Sequence, residues 1–139
     1  MACTIERKCE NGTELKDWRT VLDRYEEYID WLASTARISS SQHLQYGRWL
    51  EWRRSRPYFP WHCSRPAYRM AMRAHALAFA AHEEGVITDQ AYESVAGAVF
   101  AYTLNVGCPR DVPGVQGLSR ERALEQVRTY LTLLARDGT

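Results

Sequence analysis

The chain has 139 residues, of which 45% are hydrophobic and 25% are charged, and its formal net charge is +1. This balance excludes wholesale disorder, a polybasic tail-type binder and an acidic mimic of nucleic acid. The length predicts a single domain, residues 1–139, that buries enough surface to fold without disulfides or a bound metal.

Signals for export or membrane insertion are missing from the sequence. No apolar run reaches the roughly 20 residues that a membrane span needs, and residues 1–12 lack the basic start and apolar stretch of a signal peptide. We therefore expect a cytoplasmic protein without membrane contacts, whose cysteines stay reduced. Residues 1–12 are predicted to be flexible or loosely packed.

The first predicted helix runs from about Glu14 to Ala36 and follows the N-cap candidates Asn11 and Thr13. Its apolar residues recur at spacings of three and four, which is typical of one buried helix face. The stripe comprises Leu15, Trp18, Leu22, Tyr25, Ile29 and Leu32.

A serine run at 39–41 is predicted to cap the second helix, from about Gln42 to Ser55. Inside it lies Gly47, where glycine lowers helix propensity by up to about 1 kcal/mol relative to alanine. We expect this glycine to allow another element to cross closely. Residues 56–66 hold three prolines and cannot form a regular helix.

Ser64 is predicted to cap the third helix, which ends at Gly85, a suitable C′ glycine. Thr88 is predicted to cap the fourth helix, which extends to about Asn105. Alanines at spacings of four and three on the third helix allow a close approach, so the two helices are predicted to form a tight antiparallel hairpin. The stripe comprises Ala67, Ala71, Ala74, Ala78 and Ala81.

The last helix is predicted from Arg120 to Arg136, with Ser119 as its N-cap. We find no convincing strand pattern and no internal repeat. The sequence therefore predicts an all-α protein: a single compact bundle of about five helices, with an alanine-rich hairpin formed by the third and fourth.

Metal binding and catalysis are the first functional alternatives. A structural zinc ion needs four ligands, usually in close pairs, and the one possible set requires the N-terminus to fold onto the proline-rich segment. No nucleophile elbow, metalloprotease motif or phosphate-binding glycine loop is present, so we expect no enzymatic activity, catalytic residue, metal or cofactor. The possible zinc ligands are Cys3, Cys9, His62 and Cys63.

Arginines alternate with aromatic residues from Arg48 to Arg73, where seven arginines and one acidic residue leave a net charge of +6. This chemistry is typical of protein-interaction hot spots and of stacking on nucleic acid. Alternatively, some of the aromatics belong to the core, and the exposure of Tyr58, Phe59 and Trp61 stays open. The predicted partner-binding residues are Arg48, Trp52, Arg53, Arg56, Tyr58, Trp61, Arg65 and Arg69.

Eight acidic and five basic residues between Glu6 and Asp30 make the chain bipolar rather than basic. We therefore expect a small non-enzymatic protein that docks its arginine- and aromatic-rich surface onto a protein or ribonucleoprotein complex. Short chains of this kind are typical of phages and mobile elements, where they commonly inhibit host nucleic-acid-handling complexes, as anti-CRISPR proteins do. The alternatives are direct nucleic-acid binding through Arg48–Arg73 and assembly as a homo-oligomer.

Overall fold

The computed structural model describes residues 13–56, 64–104 and 108–137, with the side chains of 13–17 and 137 left undescribed. The described residues contain no strand, which confirms the predicted all-α class. Every predicted helix is present, with its ends within two residues of the prediction. The helices are α1 (Thr13–Ser34), α2 (Ser40–Arg54), α3 (Arg65–Glu83), α4 (Asp89–Thr103) and α5 (Arg120–Asp137).

The helices fall into two compact units. The first contains α1, α2 and residues 108–109, and the second contains α3, α4, α5 and residues 110–137. The single domain over 1–139 stays a prediction. Residues 1–12, with the N-cap candidate Asn11, and the predicted helix end Asn105 lie outside the described residues.

Side-chain caps begin four of the helices at the residues that the sequence predicts. Ser39 and Gln42 form a reciprocal capping box, with bonds of 3.1 and 2.9 Å between side chain and backbone. Ser64, Thr88 and Ser119 each accept the backbone N–H three residues later, at 3.2, 3.0 and 3.2 Å. These caps satisfy N–H groups that have no partner within the helix.

Two helices end in the same left-handed turn. In α1 it involves Ala36, with φ of 59°, and the N–H of Arg37 bonds to the Leu32 carbonyl at 2.8 Å. In α3 it involves Gly85, with φ of 74°, and the next N–H bonds to the Ala81 carbonyl at 2.8 Å. The turn at Ala36 ends α1 two residues before the predicted position.

In the first unit, α1 buries a wider face than the predicted stripe, because Val21 and Tyr28 are also fully buried. Tyr25 meets Trp49 of α2 edge-to-face, with ring centroids 5.6 Å apart. The side chain of Leu15 lies outside the described part of the chain. The other stripe members are all buried: Trp18, Leu22, Tyr25, Ile29 and Leu32.

In the second unit, α3, α4 and α5 pack against one another in pairs. The short turn from Gly85 to Thr88 joins α3 to α4, and the alanine stripe of α3 is buried from Ala67 to Ala78, as the hairpin requires. Close packing of this kind depends on side chains no larger than a methyl group along the contact.

The close crossing predicted at Gly47 is not found among the described residues. Within the described chain, no packing neighbour comes within 4 Å of the position that a Cβ of Gly47 would occupy. The close approach occurs instead at Gly97 of α4, which lies against the backbone of Gly114.

Candidate partner-binding surface

Three of the predicted partner-binding residues form an exposed row on α2 and just beyond its end. Arg48, Trp52 and Arg56 are spaced four residues apart, a spacing that places helical side chains on one face. Trp52 is 42% exposed, a large fraction for an indole. We call Arg48, Trp52 and Arg56 the α2 surface.

Two guanidinium groups contact the indole of Trp52. The Arg56 guanidinium carbon is 4.4 Å from the ring centroid, and that of Arg53 is 5.3 Å from it. Both distances fall within the range of cation–π attraction, which is strongest for tryptophan. These contacts restrict the motion of the indole before any partner arrives.

Arg53 differs from its neighbours because its side chain is only 4% exposed. It shares the buried face of α2 with Tyr46 and Leu50, at spacings of four and three. Burial, together with the charge of Arg56, lowers the pKa of Arg53, while Cys108 acts in the opposite direction. Arg53 therefore contacts Trp52 with a side chain that is itself buried. A partner can reach the residues of the α2 surface, which are exposed.

Arg54 is paired with acidic residues of α1. Its guanidinium forms ion pairs with Asp23 and with Glu26, the latter at 3.0 Å. Burial acts to lower the pKa of Arg54, but the hydrogen bonds and charges of Glu26 and Asp23 outweigh it and raise that pKa. One of the seven arginines in the predicted basic segment is therefore neutralised within the first unit.

The second unit carries its own row of arginines at the start of α3. Arg65, Arg69 and Arg73 are all exposed and recur every four residues, so consecutive members lie about 6 Å apart along the helix axis. The only acidic residue of α3 is Glu83, in its last turn. We call Arg65, Arg69 and Arg73 the α3 stripe.

The remaining predicted residues lie outside the described chain. Tyr58 and Trp61, as well as Phe59, fall within 57–63. The four possible zinc ligands also lie outside the described chain, within 1–12 and 57–63: Cys3, Cys9, His62 and Cys63. The predictions for all of them stand as they were made.

Sequence patterning missed a polar cluster in the second unit, of which the His75–Tyr92 part is buried. His75 is 3% exposed, and its Nε2 shares a hydrogen bond of 3.2 Å with the hydroxyl of Tyr92. The ring of Tyr92 stacks on His82, and His82 Nε2 lies 2.7 Å from Asp89 Oδ1. His75 falls on the alanine face of α3, but its partner Tyr92 is 17 residues away. The spacing of residues within one helix does not predict such a contact. The cluster joins α3 to α4.

Helices long and apolar enough to cross a membrane are not found among the described residues. We found no match to a protein-family model, a curated protein or a solved structure. The function therefore has to be inferred from the surface chemistry of this chain.

Proposed function

We propose that this chain is a small non-enzymatic binding protein that docks the α2 surface onto a macromolecular partner. The observation that carries the proposal is the exposed indole of Trp52 beside the guanidinium of Arg56, at 4.4 Å. Tryptophan and arginine are the residue types most enriched among interface hot spots. The partner we favour is a protein or ribonucleoprotein complex.

Two physical features support a docking role for the α2 surface. The guanidinium groups hold the indole in place, which reduces the side-chain entropy lost on binding. Arg48 and Arg56 add donors at the two ends of the row that can pair with carboxylates or phosphates of the partner. An apolar centre with a polar margin is the usual anatomy of a protein interface.

The finer part of the proposal is that docking inhibits a nucleic-acid-handling complex of a host cell. Its support is the even charge balance of these 139 residues and their arginine- and aromatic-rich segment. A rigid surface that covers the working face of such a complex inhibits it without any chemistry of its own.

The docking proposal is tested by capturing partners of the tagged full chain from a bacterial lysate, with and without nuclease. The test variant is Trp52→Ala with Arg56→Glu. The control is Leu133→Ala with Arg122→Glu on α5, which changes one side chain that is 48% exposed and one exposed arginine. We expect a protein complex that survives nuclease, is retained by the control and is lost by the test variant. Equal retention by both variants would show that the α2 surface is not the docking site.

Direct nucleic-acid binding is the second candidate, and the α3 stripe is the observation that favours it. Three exposed guanidinium groups in a row on a helix whose only carboxylate is that of Glu83, in its last turn, are complementary to a row of phosphates. Because bound arginines release counterions, three phosphate contacts predict a slope of about −2.7 in log K against log salt for a DNA duplex.

Fluorescence anisotropy with a labelled duplex of mixed sequence measures this slope. The variant Arg69→Ala with Arg73→Ala is expected to reduce the slope by about 1.8, since each contact contributes about 0.9. The control, Arg122→Ala with Arg128→Ala, removes the same charge from a helix where Glu121 and Glu125 are also exposed. A flat salt response, or equal losses in both variants, would rule out this second candidate.

A further inference from the structure

Gly47 occupies a position in the middle of α2 where the fold of the first unit does not require a glycine. No packing neighbour in the described chain lies within 4 Å of the place where its Cβ would be, and Gly47 is absent from the positive-φ residues. A mid-helix glycine lowers helix stability relative to alanine, and its missing side chain permits a close approach by a ligand or another backbone.

The open space above Gly47 is a groove of about 590 Å³ between α1 and α2. Ile29 and Leu50, both almost fully buried, lie at its floor, and the side chain of Leu44 is 56% exposed at its edge. On α2 the groove extends from Ser40 to Glu51, about 16 Å along the helix axis. It is therefore long enough to hold two turns of a helix. We call it the α1–α2 groove.

Carboxylates dominate the charged lining of the α1–α2 groove. Glu26, Asp30 and Glu51 line the groove together with a single arginine, Arg48, so the lining residues carry a net charge of −2 with His43 counted as neutral, or −1 when Arg54, which pairs with Glu26, is included. A polyanion would meet repulsion here. A segment that carries Lys or Arg beside an apolar side chain would find complementary charge.

Two interhelical contacts bridge α1 and α2 beside the groove, one between a carboxylate and a histidine and one between a carboxylate and an arginine. Asp30 Oδ1 lies 2.8 Å from His43 Nε2 near the α1–α2 connection, and Glu26 Oε1 lies 3.0 Å from Arg54 Nη1 near the C-terminal end of α2. The groove is therefore largely formed before anything binds, which reduces the cost of binding.

We propose that the α1–α2 groove binds an amphipathic helical segment of a partner protein, with an apolar side chain against Gly47 and basic residues facing Glu26, Asp30 and Glu51. This binding mode is a helix in a groove, in which apolar side chains one turn apart act as anchors. The proposal goes beyond the docking function and shares only Arg48 with the α2 surface. It stands whether or not Trp52 contacts a partner.

The test uses the ¹⁵N-labelled full chain and two synthetic helical peptides of about 15 residues, a length at which designed helices form. Both carry the same leucine stripe, flanked by lysines in one and by glutamates in the other. We expect the lysine peptide to shift the amide signals of Leu44, Gly47 and Arg48. At low salt it is expected to bind at least about tenfold more tightly than the glutamate peptide.

Three variants localise the binding. Gly47→Leu fills the groove and is expected to abolish binding of the lysine peptide. Leu44→Ser is expected to weaken it severalfold, and its control, Gln45→Ser at the next exposed position, to leave it unchanged. Since Leu44 and Gln45 are both exposed, these two variants remain informative even if Gly47→Leu fails to fold.

Several outcomes would overturn the proposal. They are binding of neither peptide, equal binding of both, signal shifts that map away from the groove, and full binding by Gly47→Leu or Leu44→Ser. Concentration-dependent shifts of Gly47 without any peptide would assign the groove to a second copy of this chain instead. Trp52→Ala, tested in parallel, is expected to leave peptide binding unchanged, so failure of the α2 surface and failure of the groove are distinguishable.

Discussion

The backbone of Gly114 lies so close to Gly97 that a Cβ on Gly97 would sit within 2.5 Å of the Gly114 Cα and closer still to its carbonyl group. Gly97 is in the buried middle of α4, and Gly114 belongs to the segment between α4 and α5. Real Cβ atoms do not approach backbone atoms this closely, and backbone cannot move aside as a flexible side chain can. The pair fixes where the 110–118 segment packs on α4.

Gly97→Ala is therefore expected to destabilise the protein by about 1–3 kcal/mol, the usual cost of overpacking a core. The backbone at Gly114 must shift to accept the added methyl group. Urea denaturation measures the loss. An unchanged unfolding midpoint would show that the segment is not seated on α4 in solution.

Gly47 is the other mid-helix glycine, and Gly47→Ala is expected to change the stability in the opposite direction. Its methyl group enters open space in the first unit, so only the gain in helix propensity remains. The free energy of unfolding is expected to rise by about 0.5–1 kcal/mol. A loss of stability by the same denaturation assay would contradict the open groove that the structure places above Gly47.

The two left-handed helix ends predict a matched pair of substitutions. Ala36 has φ of 59° and Gly85 has φ of 74° in equivalent turns. Because only glycine adopts this region without steric cost, Ala36→Gly is expected to stabilise the protein and Gly85→Ala to destabilise it, each by about 1 kcal/mol. Thermal unfolding followed by circular dichroism measures both. Changes of the same sign in the two variants would contradict the shared geometry.

Tyr92→Phe removes a hydroxyl that shares a hydrogen bond with the buried imidazole of His75. We expect a loss of about 1–3 kcal/mol, because one partner of a buried polar contact is deleted. The control is Tyr130→Phe at a partly exposed site, with an expected change below about 0.5 kcal/mol.

A double-mutant cycle distinguishes the hydrogen bond from simple packing. His75→Phe with Tyr92→Phe is expected to cost clearly less than the sum of the single changes, because both polar groups leave together. Strict additivity would show that the contact between His75 and Tyr92 contributes nothing to stability.

Arg53 and Arg56 are expected to respond differently to alanine, although both contact Trp52. Arg53→Ala removes a side chain that is 4% exposed, and a loss of about 1–3 kcal/mol is expected from its packing and contacts. Arg56→Ala changes an exposed residue, and stability should stay within about 0.5 kcal/mol of the wild type. Equal effects on the urea midpoint would contradict the difference in burial.

Helix positions and caps could be read from the sequence because they depend on residues three to five apart. Ser39, Ser64, Thr88 and Ser119 each accept a backbone N–H three residues later, and such contacts form within a single turn. The apolar stripe of α1 and the alanine stripe of α3 are equally local patterns. The exposed row of Arg48, Trp52 and Arg56 also follows from helical spacing.

Only the tertiary structure decided which arginines are buried, paired or exposed, and which glycine lies against another backbone segment. Arg54 is paired with carboxylates of α1 28 and 31 residues away, and Gly97 meets a backbone segment beyond the end of its own helix. The space above Gly47 likewise depends on how α1 and α2 meet. Sequence spacing describes one helix at a time, whereas burial, ion pairs and grooves arise from contacts between segments that are distant in the chain. The free energy of these contacts exists only once the segments meet.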